Sequence, residues 1–268
     1  EISCSLVGSE MCIRDRAYPA YIETGIDWIP RIPSGWQMKK INDLFIERKE
    51  KVSDRDYPPL SVTKFGVLPQ IDTAVKTKDG DNRKKVCAGD FVINSRSDRR
   101  GSSGISPLDD SVSLINIILQ PREGTSYYYH YLLRSHTFIE EFYRNGRGIV
   151  ADLWTTRYSE MKNIWVPCPP EDEQLAIVHF LDWKRSVFNS IIPEKAITKG
   201  NIIASSRSLL SREMTLIDEY RTRLFSDVVT GAIDIRDVTV PEFQAVNDLE
   251  DLETSERDDD DDMPVEEE

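Results

Sequence analysis

The sequence lacks the residue clusters that metal sites and disulfide frameworks require. Its four cysteines and three histidines are scattered over 268 residues without the short spacings of a zinc site or a paired cysteine framework. No apolar run approaches the roughly 18 residues that a transmembrane helix needs. We therefore expect a cytoplasmic protein that holds no metal and has no membrane partner.

The chain also lacks the motifs of the common DNA-modifying and nucleotide-hydrolysing enzymes. No glycine-rich loop ends in Lys followed by Ser or Thr, so no ATP-driven motor is predicted. Neither Pro58–Pro59 nor Pro169–Pro170 has the neighbours that methyltransferases place around a flipped base. Glu47 and Lys49 resemble part of a nuclease site but have no suitably placed second acid. We predict a binding protein without catalytic residues or cofactors.

The chain has no overall excess of basic residues, but its negative charge is concentrated at the C-terminal end of the sequence. The formal net charge is −13. Residues 242–268 contain fourteen Asp or Glu and one Arg, so the remaining 241 residues are close to neutral. This composition is typical of a disordered segment, and we assign residues 232–268 to an acidic disordered tail, which either aids solubility or mimics DNA. The negative net charge therefore does not exclude a nucleic-acid partner.

What the sequence does contain is a helical region near its C-terminal end. After Pro169–Pro170, the acidic and amide residues at 171–174 suit a helix N-terminus. Apolar residues follow at Leu175, Val178 and Leu181 and predict one buried helix face.

A second helical segment follows an interruption at Pro193 and Gly200. Apolar residues recur there every seven positions, at Ile203, Leu210, Ile217 and Leu224, with a flanking set at Ile202, Leu209 and Leu216. A seam of this period favours a partner helix over a globular core. We therefore predict that residues 169–231 form long helices in a coiled-coil-like arm, which either dimerises or spaces DNA-reading bodies.

The middle of the chain predicts a β-rich unit, because short apolar runs alternate with turn residues. The expected strands are Leu60–Thr63, Phe65–Leu68, Phe91–Ile93 and Leu114–Leu119. An aromatic helix buried on one face is expected from Tyr127 to Phe142. Residues 18–36 are expected to form an extended arm with aromatic anchors, and residues 1–16 are interpreted as a non-native leader. The predicted class is α+β, with one mixed domain over residues 17–168 followed by the helices.

Residues 76–100 carry the sustained basic excess of the chain, with eight Lys or Arg against four Asp. The candidate DNA contacts are Lys76, Lys78, Arg83, Lys84, Lys85, Ser95, Arg96, Arg99 and Arg100, together with Arg147 in a later glycine-containing loop. Arginine forks suit guanine edges, whereas lysine and serine more often hold phosphates. The alternative is that this run is an ordinary solvated face.

Three segments resemble one protein family. They comprise Gly25, Ile26, Asp27, Trp28, Ile29, Pro33, Gly35 and Trp36; Pro169, Pro170, Glu173, Gln174, Ile177, Phe180, Leu181 and Asp182; and Tyr220–Leu224 with Val228–Gly231. The first is similar to the segment that opens each target-recognition domain in the specificity (S) subunits of type I restriction-modification systems. The others resemble the start and the end of the conserved helix in those subunits. Pro30, Pro193 and Gly200 depart from the family pattern.

This resemblance implies a non-catalytic subunit that recognises double-stranded DNA. It also implies methyltransferase subunits as partners and, through the complex, a restriction and translocase subunit. The family pairs two recognition domains, and this chain matches one such unit. It is therefore expected to form a homodimer or to act with a second recognition half. The competing hypothesis is a coiled-coil adaptor that dimerises without specific DNA readout.

Overall fold

The computed structural model describes residues 17–70, 80–148, 154–191 and 204–243. The strands are β1 Tyr21–Glu23, β2 Arg31–Pro33, β3 Gln37–Lys40, β4 Phe45–Glu47, β5 Lys51–Val52, β6 Leu60–Val62, β7 Val67–Pro69, β8 Arg83–Val86, β9 Phe91–Asn94, β10 Ser103–Ile105, β11 Asp110–Val112, β12 Asn116–Pro121 and β13 Trp165–Cys168. The helices are α1 Ile41–Leu44, α2 Tyr128–Arg134, α3 His136–Arg144, α4 Tyr158–Met161, α5 Glu171–Ile191 and α6 Ala204–Val229. A 3-10 turn spans Ser97–Arg99. The fold is mixed α+β, as predicted.

A four-stranded antiparallel sheet in the order β10-β9-β12-β4 separates two apolar cores. Side chains alternate between the two faces of a strand, so neighbouring residues of β9 enter different cores. Phe91 and Ile93 pack in the main core, whereas Val92 joins a smaller core that also contains Val86 and Ile118. The smaller core is shared with the sheet β11-β8-β5 and the hairpin β6-β7.

Several predicted elements have different boundaries in the structure, among them the strand predicted from Phe65, which begins at Val67. The strand predicted from Leu114 begins at Asn116, because Leu114 and Ile115 form a tight turn. The helix predicted from Tyr127 to Phe142 is two helices, because the Ser135 hydroxyl accepts a hydrogen bond from the Phe138 amide and begins α3. Helix α2 is also buried along its whole length rather than on one face.

Of the predicted buried face of α5, Leu181 is buried in the main core and Val178 packs half-buried against it, whereas Leu175 does not. The buried residues of α5 are Gln174, Ile177, Phe180, Leu181, Lys184 and Phe188. Alternating steps of three and four residues bring these side chains onto one stripe. Leu175 lies off that stripe and is 62% exposed, so its assignment to the buried face was wrong.

Helix α6 returns alongside α5. The Phe188 ring lies 6.0 Å from Tyr220 and 6.4 Å from Phe225. Of the predicted seam, Leu224 is buried and Ile217 is half-buried, whereas Leu216 of the flanking set is exposed. Pro193, Gly200, Ile202 and Ile203 lie outside the described residues, as do the side chains of Leu209 and Leu210. The coiled-coil arm therefore stays a prediction.

The segment after α6 packs on the domain, so the acidic tail was predicted to begin too early. Ile233 and Ile235 are 5% and 3% exposed, and the Arg236 guanidinium lies 4.8 Å from the centre of the Tyr18 ring. The apolar side chains of Ile233 and Ile235 account for this burial. Residues 244–268 lie outside the described part of the chain.

Candidate nucleic-acid interface

One edge of the four-stranded sheet gathers exposed and half-exposed cations from distant parts of the sequence. At this edge β9 and β4 end while β10 and β12 begin, because Asn94 pairs with Asn116 and Ser103 pairs with Ile93. We define the basic edge as the surface formed there by Lys49, Lys51, Lys64, Lys84, Arg96, Arg99, Arg100 and Arg147.

The arginine loop after β9 is anchored by short polar groups beneath it. The Ser95 hydroxyl donates to the Ile115 carbonyl at 2.5 Å, and the Asn94 side chain accepts the Arg96 amide at 3.0 Å. The Tyr143 hydroxyl donates to the Asn94 carbonyl at 2.8 Å. Ser95 is only 4% exposed, so it positions the loop and is not placed to contact DNA, in contrast to the sequence-based assignment.

The structure brings Arg147 next to this loop, although about fifty residues separate them in the sequence. The backbones of Arg147 and Thr155 exchange two hydrogen bonds of 3.1 Å. On the other side, the Ser97 amide donates to the Trp154 carbonyl at 2.9 Å. Residues 154–156 therefore join the two predicted contact loops into one surface, and Trp154 stands 36% exposed between them.

The three basic residues on β8 have three different environments. Arg83 is 4% exposed and donates from Nε to the Ser111 hydroxyl at 2.7 Å, so it is a core residue rather than a surface contact. Burial lowers the pKa of the Arg83 guanidinium and of the Lys84 amine. Lys84 Nζ donates to the Asn116 carbonyl at 2.7 Å, which places it at the basic edge. Lys85 Nζ lies 3.4 Å from Glu50 and 5.0 Å from the centre of the Tyr57 ring.

The remaining two candidates, Lys76 and Lys78, lie outside the described residues. Sequence reasoning missed Lys49, Lys51 and Lys64 as members of the edge. The signal for the first two was present in the basic run at 48–51, but only the pairing of β5 with β8 brings Lys51 opposite Lys84.

Several cations of the basic edge have an acidic partner. The N–O distances are 3.1 Å for Lys49–Glu47, 3.0 Å for Arg96–Asp98, 2.6 Å for Arg100–Glu140 and 3.7 Å for Arg147–Glu160. The Arg96–Asp98 and Arg100–Glu140 pairs are exposed on both sides and contribute about 0–1 kcal/mol each, so a phosphate group can replace either carboxylate at little cost. The buried pair Arg48–Asp90, at 2.6 Å, is different, because the Asp90 carboxylate also accepts the Cys87 amide and raises the pKa of Arg48.

The three segments that resemble the S-subunit family meet in a second region, which we call the helix junction. It is defined by Tyr18–Trp36, the first half of α5, and the end of α6 through Gly231. The Tyr18 hydroxyl donates to Glu173 at 2.5 Å, and the Tyr21 hydroxyl donates to the Gly231 carbonyl at 3.2 Å. The Tyr128 hydroxyl of α2 donates to the Val229 carbonyl at 2.5 Å. Burial and the Glu173 carboxylate raise the pKa of Tyr18.

Trp28 of the helix junction lines a cleft beside the basic edge, and the edge itself is where β4 ends. This strand begins beside α1 and β3, and β3 pairs with β13, which leads directly into α5. The cleft beside the basic edge has a volume of about 250 Å³ and is lined by Trp28, Arg100, Tyr143, Arg144 and Trp154, among others.

Within the described ranges, no group of three or more His, Cys, Asp or Glu side chains is arranged to hold a metal ion. No helix in the same ranges combines the length and hydropathy of a membrane span.

Comparisons with known proteins give matches only among solved structures. No family model matches the chain, and no curated protein matches it. The HsdS subunit from Thermoanaerobacter tengcongensis is 16% identical with a TM-score of 0.47, covering 82% of this chain and 52% of that one. The type I restriction-modification system S subunit from M. genitalium is 19% identical with a TM-score of 0.39, covering 78% and 49%. A chain from a study of the assembly and conformational transition of the type I R-M system is 13% identical with a TM-score of 0.41, covering 85% and 53%.

The M. genitalium protein is an S subunit of a type I restriction-modification system, the family that the three sequence segments resemble, while the other two are an HsdS subunit and a chain from a type I R-M system. The chain spans about half the length of each of them. Because the TM-scores are below 0.5, the functional argument rests on the chain's own residues and their geometry.

Proposed function

We propose that this chain is the sequence-specific DNA-recognition subunit of a type I restriction-modification complex. In this proposal the domain over residues 17–168 binds duplex DNA, while α5 and α6 hold the methyltransferase subunits and, through them, the restriction and translocase subunit. The observation that carries the proposal is the basic edge, where two loops and two strand ends place exposed cations on one side of the domain. A polyanion is the partner that such a surface attracts.

The two kinds of cation at the edge suit two kinds of contact. Lysines such as Lys49 and Lys51 neutralise phosphates and set the orientation of the duplex. Arg96 and Arg99 lie on the loop that projects beyond β9, and their forked guanidinium groups suit the acceptor atoms of guanine in the major groove. The domain thus has the means both to position DNA and to read bases.

The helices are proposed to act as the mounting for other subunits. Their inner faces are buried at the helix junction, whereas Leu175 and Leu216 are 62% and 55% exposed on the outside. Exposed leucines on long helices are suited to packing against partner helices. We also propose that the chain pairs with a second copy or another recognition half, as the family resemblance of its three sequence segments implies.

The proposed role is binding and recruitment in the cytoplasm, without catalysis or a cofactor. Sequence selection from random duplexes by the purified full-length chain, followed by anisotropy titration over a salt series, tests it. We expect a preferred sequence and an affinity that falls steeply with salt. Repeating the selection with the methyltransferase subunit present tests recruitment.

Replacing Arg96, Arg99 and Arg100 by alanine is the local test. The matched control removes three positive charges elsewhere, by replacing Arg31, Lys39 and Arg122. We expect the first variant to lose at least tenfold in affinity and to relax the preferred sequence, while the control retains the preference. Equal affinity and an unchanged preference in the first variant would remove the arginine loop from the proposal.

The second candidate function is the coiled-coil adaptor, which the pairing of α5 with α6 favours. An adaptor binds partner subunits but selects no duplex sequence. A purified chain that captures its partners and yields an unenriched duplex pool would establish that function in place of DNA recognition.

A further inference from the structure

A tight turn at the centre of the basic edge has an unusual composition. Ser113–Asn116 is closed by a hydrogen bond from the Asn116 amide to the Ser113 carbonyl at 3.0 Å, so Leu114 and Ile115 occupy its two central positions. Gly, Pro, Asn, Asp and Ser dominate such positions for conformational reasons. Leu114 and Ile115 are 37% and 41% exposed and belong to neither core. Local folding therefore does not account for two large apolar side chains there.

The turn is held rigidly from below. The Asn116 side-chain amide also donates to the Ser113 carbonyl at 3.2 Å, and the Ser95 hydroxyl donates to the Ile115 carbonyl at 2.5 Å. On its other side Lys84 Nζ donates to the Asn116 carbonyl at 2.7 Å. A surface already held in one conformation loses little entropy when it binds, which favours specific contact.

The surroundings of the turn limit the partner that can cover it. Lys84 lies on one flank, and Arg96 directly follows Ser95 on the other. Two aliphatic side chains between cations complement a polyanion that carries small apolar groups between its charges. Duplex DNA has this arrangement, because the thymine methyl is an apolar group on the major-groove edge of the base pairs.

We infer that the Leu114–Ile115 turn enters the major groove and contacts thymine methyl groups, and so determines part of the sequence specificity. This inference rests on the proposed function. It adds that the Leu114–Ile115 turn of the basic edge recognises thymine. The cations on both flanks hold the phosphates, while the apolar pair distinguishes base pairs by the presence and position of the methyl group.

The experiment uses the full-length chain and its preferred duplex, obtained by selection from random sequences. Each thymine in that duplex is replaced in turn by uracil, which removes only the methyl group. At one or two positions we expect the affinity of the unaltered protein to fall about fourfold per methyl. Leu114→Ala and Ile115→Ala variants are expected to bind the thymine and uracil duplexes equally at those positions.

Leu108→Ala is the matched control. Leu108 is 40% exposed, close to the 37% of Leu114, but it follows β10 near Asp90 at the opposite edge of the sheet. This variant is expected to keep the full effect of the methyl group. Because all three substituted side chains are exposed, each variant is expected to remain folded, which its thermal unfolding checks.

The outcomes separate the inference from the proposed function. If the unaltered protein selects no duplex sequence, both fail. If it selects one but uracil substitution has no effect, or the turn variants keep the methyl effect, the inference alone is wrong. Strong fluorescence enhancement of 2-aminopurine at the contacted step, without a methyl effect, would instead assign the turn as a wedge between base pairs and overturn the thymine contact.

Discussion

At the helix junction the chain is held by buried aromatic rings, whereas at the basic edge it is held by short polar side chains beneath exposed cations. Tyr18, Trp36 and Tyr128 are all buried and form edge-to-face contacts with ring separations of 5.8 and 6.5 Å. Asn94 and Ser95 instead fix a loop whose arginines remain in solvent. Changes at the junction should therefore alter stability, while changes at the edge should alter binding. The predictions below test that division.

The largest expected effect is at the junction. Phe180 is fully buried on α5, so Phe180→Ala removes a ring from the main core and is expected to lower the free energy of unfolding by about 3–5 kcal/mol. Leu175→Ala, on the same helix but 62% exposed, is expected to change it by less than about 0.5 kcal/mol. Urea unfolding of both variants measures the difference. Equal losses would show that α5 does not bury the face described above.

A smaller loss is expected at Gly231, just after α6. Its φ is +74°, and a Cβ atom there would lie 2.5 Å from Pro33 Cδ. Gly231→Ala is therefore expected to cost about 1–3 kcal/mol through backbone strain and crowding. Gly35→Ala is the control, because a Cβ atom added there would meet no atom within 4 Å and its φ is not in the left-handed region. Thermal unfolding distinguishes the two variants, and an unaffected Gly231 variant would contradict the close approach of residues 18–36 to the end of α6.

The third prediction concerns His130, which is 5% exposed on α2. Burial, then Arg134 and Arg185, lower the pKa of its imidazole well below the ordinary value. The folded protein therefore keeps His130 neutral, while the unfolded chain binds a proton below about pH 6.5. Protonation favours the unfolded state, so stability is expected to fall by up to about 1.4 kcal/mol per pH unit as the pH drops below that value.

His130→Phe should remove this part of the pH dependence between about pH 6.5 and 5.5. His136→Gln should leave it intact, because the His136 side chain is 64% exposed. Urea titrations at several pH values provide the comparison. A parallel pH dependence in the unaltered protein and the His130 variant would assign the effect to other groups.

The smallest expected change in stability is at the edge. The Arg147 side chain is 84% exposed, and its ion pair with Glu160 is long at 3.7 Å. Arg147→Ala is expected to alter the free energy of unfolding by less than about 0.5 kcal/mol, while reducing the slope of log affinity against log salt by about 1. Arg122→Ala serves as the control of equal charge. An unchanged salt slope for the Arg147 variant would place Arg147 outside the DNA contact.

Much of the helix junction was predictable from the sequence because its determinants are local. The prolines before Glu171 and the acidic first turn mark the start of α5, and the apolar spacing predicts that the helix is buried. The choice of buried face was wrong at Leu175, because the stripe of α5 is set by the position of α2 against it. The sequence of α5 alone does not contain that information.

The sequence predicted that the domain has a basic surface, but it did not predict which basic residues lie on that surface. Arg83 and Arg96 count equally as charges in the sequence. Pairing of β8 with β11 buries Arg83, whereas Arg96 lies on the loop after β9 with its side chain 42% exposed. The Leu114–Ile115 turn was predicted as strand, because apolar residues before β12 continue its pattern. Their exposure follows from the Ser113–Asn116 turn, which the backbone and side-chain amides of Asn116 close and the Ser95 hydroxyl, from a distant part of the sequence, anchors.

Residues 18–36 pack against the end of α6, and this contact constrains when the protein can complete its fold during synthesis. Tyr21 and Gly231 are 210 positions apart, and Tyr18 and Glu173 are 155 apart. At roughly 5–20 residues per second, the ribosome needs on the order of ten seconds or more after Trp36 emerges before α6 is available to cover it. During that interval the aromatic side chains of Tyr18, Tyr21 and Trp36 lack the cover that α5 and α6 give them in the folded protein.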